Sequence, residues 1–311
     1  MKKLVFAALV LTLVTACTGG NETNRLAEGA KPKIVAAQVH LAALAMDVAG
    51  DNATVVLLGS TESDPHSYEP TVEDRRKLDD AHLFITNGLG LENFEAERLA
   101  KSAGALLVDC SAEIPKSFLI RPEEEDHHDH DHGDGHGHGD EEANPHVWLS
   151  VEGALSQAAA VRDALVRLDP GRKEKYEANF KELKGELESM RDEFASEFKR
   201  LGGCRFASNH DAFPYLAREF GLEQVGTVQA TPGRDPGVAE RRELQAALEK
   251  ARAQAVFLEP GFSDSAAKAI AEAARLPTVI VNPLAVGEPA AGMYARKMRE
   301  NLTGIRDVLE P

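Results

Sequence analysis

Apolar positions along the chain fall into two alternating kinds of run. Short β-branched or apolar stretches at 33–39, 54–58, 82–86 and 105–108 read as strands. Between them lie helical patterns: Leu41, Leu44, Ala45 and Val48, closed by Gly50, then residues 71–80 and 91–102. The alternation resumes in the second half, with strand-like runs at 204–208, 222–228, 255–258 and 278–281. Helical stretches at 212–220, 236–251, 265–274 and 289–309 separate them. Strand and helix in strict alternation imply parallel pairing and a βαβ architecture. The fold class is therefore α/β, with two lobes of about four strand–helix units each.

Between the halves lie two longer helical patterns. The first runs from Val151 to Leu168 and stops at Asp169-Pro170-Gly171. The second runs from Arg172 to Leu201, with apolar residues at Tyr176, Phe180, Leu183, Leu187, Met190, Phe194, Phe198 and Leu201. Their spacing of three and four marks one continuous stripe. At 1.5 Å per residue such a helix reaches about 45 Å, more than one small lobe requires. No second long heptad stretch exists to pair with it as a coiled coil. It reads as a rigid spine joining the lobes, ended by Gly202-Gly203.

Two segments break the pattern. Met1-Lys2-Lys3 followed by an apolar run from Leu4 to Val14 has the layout of an export signal and is too short to span a bilayer. Val14-Thr15-Ala16-Cys17 places small residues before a cysteine, which resembles a lipoprotein signal with Cys17 as the lipidated residue. Residues 18–32 form a polar tether. The second break is 123–142, which opens with Glu123-Glu124-Glu125-Asp126 and carries His127, His128, His130, His132, His136 and His138 among Asp and Gly. Its composition cannot build a core, so it reads as a disordered loop inserted in the first lobe. The expected organisation is a leader at 1–17, the tether at 18–32, a first lobe at 33–170, the linking helix at 171–202 and a second lobe at 203–311.

The 311 residues carry a net charge of −16, with 43% hydrophobic and 28% charged residues. That balance is globular, and the acidity excludes nucleic acid as a partner, since nucleic acid requires a basic face. Cys110 and Cys204 remain once Cys17 is set aside. Export permits a disulfide between them, but they fall in different lobes, so two free buried thiols is the expected state and the disulfide the alternative.

Ligands of open α/β sheets bind outside the carboxyl ends of the strands. His66, His146 and His210 each fall in a loop after a strand, two in the first half and one in the second. Their common location is the cleft between the lobes. Neutral imidazole is a preferred zinc ligand. His40 opens the first helix near that cleft and can support a ligand from behind, whereas His82, just before a strand, reads as structural.

Three stretches carry a resemblance: Asp64-Pro65-His66-Ser67-Tyr68-Glu69-Pro70, Asn144-Pro145-His146-Val147-Trp148-Leu149, and His210-Asp211-Ala212-Phe213-Pro214-Tyr215-Leu216 with Phe220-Gly221-Leu222. They are similar to the three signatures of the metal-specific solute-binding lipoproteins of ABC importers, the zinc/manganese family. The resemblance covers essentially the whole chain after the tether. It implies two lobes joined by a long rigid helix, and a metal site between them at His66, His146 and His210. Zinc members have His at the third position and manganese members have Glu, so His210 implies Zn²⁺; an acidic His-rich insertion is a further zinc-member feature. The family's Asp after the last strand is replaced by Asn282. The fourth position is thus open to water, Asn282, Glu259, Asp64 or Glu62. The six histidines of the insertion read as an accessory, low-affinity metal store or a sensor of zinc sufficiency, with a plain acidic loop as the alternative.

The function implied is capture of zinc outside the cytoplasmic membrane and delivery to an importer permease served by a separate ATPase, since the chain has no phosphate-binding loop of its own. The protein is expected to be a monomer, held by lipid at a membrane facing the periplasm or cell exterior. Rival readings are a zinc buffer or metallochaperone without a transporter, and a manganese or iron carrier. A zinc hydrolase is disfavoured because no hydrolase signature accompanies the histidines. Proton competition for free imidazole places the loss of metal affinity near pH 6.5.

Overall fold

The computed structural model describes residues 24, 26–62, 64–121, 143–229, 234, 236–261 and 263–310. Cys17, the whole of the His-rich insertion at 123–142, and residues 18–23 and 25 of the tether therefore lie outside the described residues.

The first sheet contains β1 (Lys33–Ala36), β2 (Thr54–Leu57), β3 (Leu83–Thr86) and β4 (Leu106–Asp109), all parallel, in the order β2-β1-β3-β4. Helices α1 (Val39–Ala49), α2 (Val72–Lys77), α3 (Ala96–Ala103) and α4 (Val151–Leu168) follow the strands in turn. Alternate residues of the central strands face opposite layers, as a pleated strand requires. Ile34, Leu83 and Ile85 join the cluster that contains α1 and α4, while Val35 and Phe84 join the cluster under α2 and α3. A parallel sheet covered on both faces explains why β3, Leu-Phe-Ile-Thr, is buried throughout.

The second sheet has the same plan. Strands β5 (Arg205–Ser208), β6 (Glu223–Thr227), β7 (Ala255–Leu258) and β8 (Thr278–Ile280) run parallel in the order β6-β5-β7-β8. They alternate with α6 (Pro214–Phe220), α7 (Val238–Ala251), α8 (Ser265–Ala274) and α9 (Met293–Leu309). Between the two plans stands α5 (Lys173–Leu201), 29 residues long. It buries Tyr176, Leu183, Leu187, Met190, Phe194 and Phe198 and packs against α1 and α4 of one lobe and α6 and α9 of the other. The stripe read from the sequence is thus the seam between lobes.

Three boundaries differ from the sequence reading for local reasons. Residues 91–95 are not helical, because the Glu92 carboxylate accepts the backbone N–H of Asn87 (2.7 Å) and Gly88 (3.0 Å), and Asn93 donates to the carbonyl of His66. The first strand ends at Ala36, since Val39 already begins α1. The last helix starts at Met293, after Gly292 caps it with φ 69°. Cys110 and Cys204 are buried and free, which removes the disulfide alternative.

The lobes share one core. A single apolar cluster holds Trp148, Leu149 and Val151 from the first lobe together with Phe206, Phe213, Leu284 and Tyr294 from the second. Polar clamps surround it: Trp148 Nε1 donates to Pro283 O at 2.8 Å, and Tyr294 Oη donates to Trp148 O at 2.7 Å. An interface this apolar resists hinge motion. Leu187→Ala in the middle of the seam is expected to cost about 2–5 kcal/mol. Urea unfolding followed by far-UV circular dichroism and by the fluorescence of Trp148, the chain's one tryptophan, should give one coincident transition; separated midpoints would show that the lobes unfold independently.

Candidate metal centre

Each histidine of the proposed set is fixed by a short local motif. The Asp64 carboxylate accepts the backbone N–H of His66 at 3.0 Å, a side-chain turn that aims the loop after β2. Asn144 Oδ1 accepts the backbone N–H of His146 at 3.0 Å and also lies 3.0 Å from His146 Nδ1. His210 follows β5 directly, and its backbone N–H donates to Glu259 Oε1 at 3.0 Å, joining it to the end of β7.

The three imidazoles converge. His66 Nε2 and His146 Nε2 are 3.1 Å apart, and His210 Nε2 and His146 Nε2 are 3.4 Å apart. All three ligand atoms lie within 4.8 Å of one another, and among the described residues no Cys, Asp or Glu joins them. Tetrahedral Zn–N bonds of 2.0–2.1 Å require neighbouring nitrogens about 3.3–3.4 Å apart, so the spacing fits a zinc ion. His146 and His210 are 4% and 3% exposed, while His66 is half-buried.

Tautomers follow from the second contacts. Asn144 Oδ1 can only accept, so His146 Nδ1 carries the proton and Nε2 presents its lone pair. His210 Nδ1 lies 2.7 Å from Glu259 Oε2, a close contact outside hydrogen-bond geometry, and a carboxylate at that distance favours the proton on Nδ1. Glu259 is 3% exposed, so it places a negative charge one imidazole behind the site. Burial, then His210, hold His66 below the ordinary imidazole range. Burial, then His210, His66 and His40, hold His146 well below it. Both rings are therefore neutral at pH 7.

Behind the site, His40 stacks on Trp148 with ring centroids 4.0 Å apart, and Trp148 leans on His146 at 5.1 Å. Burial pushes His40 down to about 3, so it acts as a neutral aromatic plate that fixes Trp148. His82 Nδ1 accepts the N–H of Lys33 and ties β3 to β1.

The candidates for a fourth ligand are occupied elsewhere or exposed. Glu259 serves His210. Asp64 holds the His66 turn. Asn282 Oδ1 accepts the N–H of Leu284 at 2.8 Å, and its backbone bonds Asn301. Glu62 is exposed. The six insertion histidines lie outside the described residues. Sequence reasoning named Asn144 as part of a motif and missed its work: besides orienting His146, its Nδ2 donates to Asp211 O (2.8 Å) and Asp211 Oδ2 (3.1 Å) across the lobes. An Asn two residues before a ligand histidine is the signal that marks such a turn.

Fold and donor set together define a class: a two-lobed α/β solute-binding protein whose ligand is a metal cation. The sequence profile of the zinc-uptake complex component A periplasmic family, ZnuA, matches residues 34–308, and the chain belongs to that family. It is 32% identical over 313 residues to the high-affinity zinc uptake system protein ZnuA of Bacillus subtilis, covering 98% of this chain and 96% of that one. It is 29% identical over 326 residues to the zinc-binding lipoprotein AdcA of Streptococcus pneumoniae, covering this whole chain but 62% of that longer protein. Among solved structures, a crystal structure of ZnuA superposes with a TM-score of 0.76 at 25% identity, covering 90% of this chain and 99% of that one.

The site yields two expectations. Glu259→Gln keeps an acceptor for His210 Nδ1 but removes the charge, so zinc affinity should fall about 10–100-fold; competitive titration with a chromophoric chelator reads the change, and an unchanged affinity would mean that the charge plays no part. The second concerns pH. A proton competes with zinc only where the free site binds one, and the pKa values of His66 and His146 lie below 6.5. Affinity should therefore hold from pH 8 through 6.5 and fall at lower pH, later than free imidazole predicts. A decline already complete at pH 6.5 would contradict the buried, neutral site.

Proposed function

We propose that this protein captures zinc outside the cytoplasmic membrane and delivers it to an ABC-type importer permease whose energy comes from a separate ATPase. The observation that carries the reading is the convergence of three Nε2 nitrogens, spaced 3.1 and 3.4 Å, at the seam of two lobes in a chain of the zinc-uptake family. His66, His146 and His210 hold the ion, and water completes the coordination. The family's members are transport solute-binding proteins, and the three histidines here act as ligands for cargo, with no catalytic role.

The body is exported as a monomer and held at the membrane by lipid on Cys17; the leash is shorter than the expected 18–32, because Asn24 already bonds Ala81 and Ala103 and the carbonyls of Gly29 and Ala30 accept from Arg172. What supports the anchor is the small-residue run before Cys17 after a short apolar stretch. The lobes divide at 33–170 and 203–311 around the linking helix at 171–202. The histidines at 127, 128, 130, 132, 136 and 138 collect zinc weakly and raise its local concentration beside the cleft, since Ala143 and Asn144 connect their segment directly to His146.

Competitive zinc titration of the wild type, His210→Ala and a deletion of 126–140 tests the assignment. The deletion should lower stoichiometry and leave one tight site; His210→Ala should abolish the tight site and leave the weak ones. Loss of all tight binding with the deletion would put the site in the insertion and overturn the reading.

A further inference from the structure

Two of the most exposed large apolar side chains in the structure are Val72 at 69% and Val238 at 70%. They occupy the same place in the two lobes. Each is the first residue of the helix that follows the second strand of its sheet, α2 after β2 and α7 after β6. The sequences around them match: Pro70-Thr71-Val72-Glu73-Asp74-Arg75-Arg76-Lys77-Leu78 and Pro236-Gly237-Val238-Ala239-Glu240-Arg241-Arg242-Glu243-Leu244. Proline, valine, both arginines and leucine are identical, and an acid precedes the arginines in each.

The backbones match too. The residues preceding the helices, Thr71 and Gly237, share φ −69° and ψ 173°. In each lobe the acid closes the helix start on the residue before the valine: Asp74 Oδ2 accepts Thr71 N–H at 3.1 Å and Glu240 Oε2 accepts Gly237 N–H at 2.6 Å. That capping holds the valine at the helix start and leaves both arginines exposed at the fourth and fifth helical positions. An exposed valine at a helix start contributes nothing to either core, and twin arginines beside it are unexpected on a chain of net charge −16.

The lobes are related by an approximate two-fold axis, because their contacts are reciprocal. Asp47 of α1 accepts the N–H of Gly292 at the start of α9 at 2.6 Å. Glu219 of α6 accepts the N–H of Val151 at the start of α4 at 2.6 Å. The first helix of each lobe thus holds the start of the other lobe's last helix, the relation that defines an isologous interface. The valine–arginine patches are carried by this axis into each other, and both sit at the carboxyl-end edge of their sheet, the edge that bears the histidines.

We propose that Val72 with Arg75 and Arg76, and Val238 with Arg241 and Arg242, form one bipartite docking surface for a membrane partner that presents the same acidic, apolar-socketed face twice about a two-fold axis. This deepens the transport reading and rests on it. In the first lobe Val72, Arg75 and Arg76 line an open groove with Phe94 and Leu99, in which three arginines, Arg98 included, outnumber Asp79 and Glu95. A two-fold partner places its axis on the axis of the lobes and so presents its centre to the cleft between them.

The test uses the full-length lipoprotein with the permease–ATPase complex of the same cell in proteoliposomes, reading zinc uptake against the concentration of loaded protein. Val72→Glu and Val238→Glu should each raise the half-maximal concentration at least ten-fold, by similar factors. Their zinc titrations should be unchanged and both should sediment as the wild type does. Ile280→Glu, at a side chain 68% exposed on the edge strand β8, is the control and should have no effect. Uptake insensitive to both substitutions, an effect confined to one lobe, or a wild-type dimer that the substitutions dissociate would each overturn the bipartite surface. No uptake with the wild-type protein would overturn the transport reading, and this inference with it.

Discussion

Three imidazoles meet at one point only if the lobes that carry them are held in fixed relation. The cluster draws His66 and His146 from one lobe and His210 from the other, and a shift of one ångström between lobes would spoil the 3.4 Å spacing of the His146 and His210 Nε2 atoms. The structure meets this constraint three times over. The spine α5 lays one apolar stripe on helices of both lobes. A single core runs across the seam through Trp148 and Tyr294. Asn144, Asp47 and Glu219 then close the rim with hydrogen bonds from one lobe to the other.

That rigidity has a chemical consequence at the site. With both Nδ1 protons of His146 and His210 committed to Asn144 and Glu259, two Nε2 lone pairs point at each other with no proton between them. Buried acceptors without a donor are costly, about 1–3 kcal/mol each. A divalent cation satisfies them together, whereas a proton satisfies one at a time and must be desolvated to do so. The lobe clamps that prevent the rings from relaxing apart are therefore part of what makes the site bind metal in preference to protons.

Much of this was legible in the chain, because it rests on periodicity. Alternation of apolar runs gave two parallel βα lobes, and the three-and-four spacing from Tyr176 to Leu201 gave the spine. The histidines could be placed because parallel sheets bind at their carboxyl ends, so position after a strand is enough to predict convergence. Contacts between residues far apart in sequence were not legible. Glu259 entered the reading as a spare carboxylate for the metal and in the structure stands behind His210, because the register of β7 against β5 decides which side of the ring it meets. The helix expected from Leu91 begins only at Ala96, since Glu92 and Asn93 are spent on neighbouring loops. The repeat at Val72 and Val238 escaped notice for another reason: the halves share a plan with little identity, and only their equal place in the two sheets singles out one matching segment.

Rigidity also restricts how the ion can enter and leave. Hinge opening would have to break the shared core around Trp148, so exchange must run through the least fixed ligand. His146 and His210 are buried and tied from behind by an amide and a carboxylate. His66 is half-buried and rides on a loop whose anchors are the Asp64 turn and the Asn93 contact to its carbonyl. The buried charge of Glu259 lies on the His210 side, so the electrostatic attraction for a cation is strongest away from that loop and weakest toward it. An ion held there would have two buried nitrogens behind it, from His146 and His210, and the imidazole of His66 in front. Displacement of His66 would leave it on two donors and within reach of whatever surface covers the cleft, so release would require the movement of one loop and no change in the relation of the lobes.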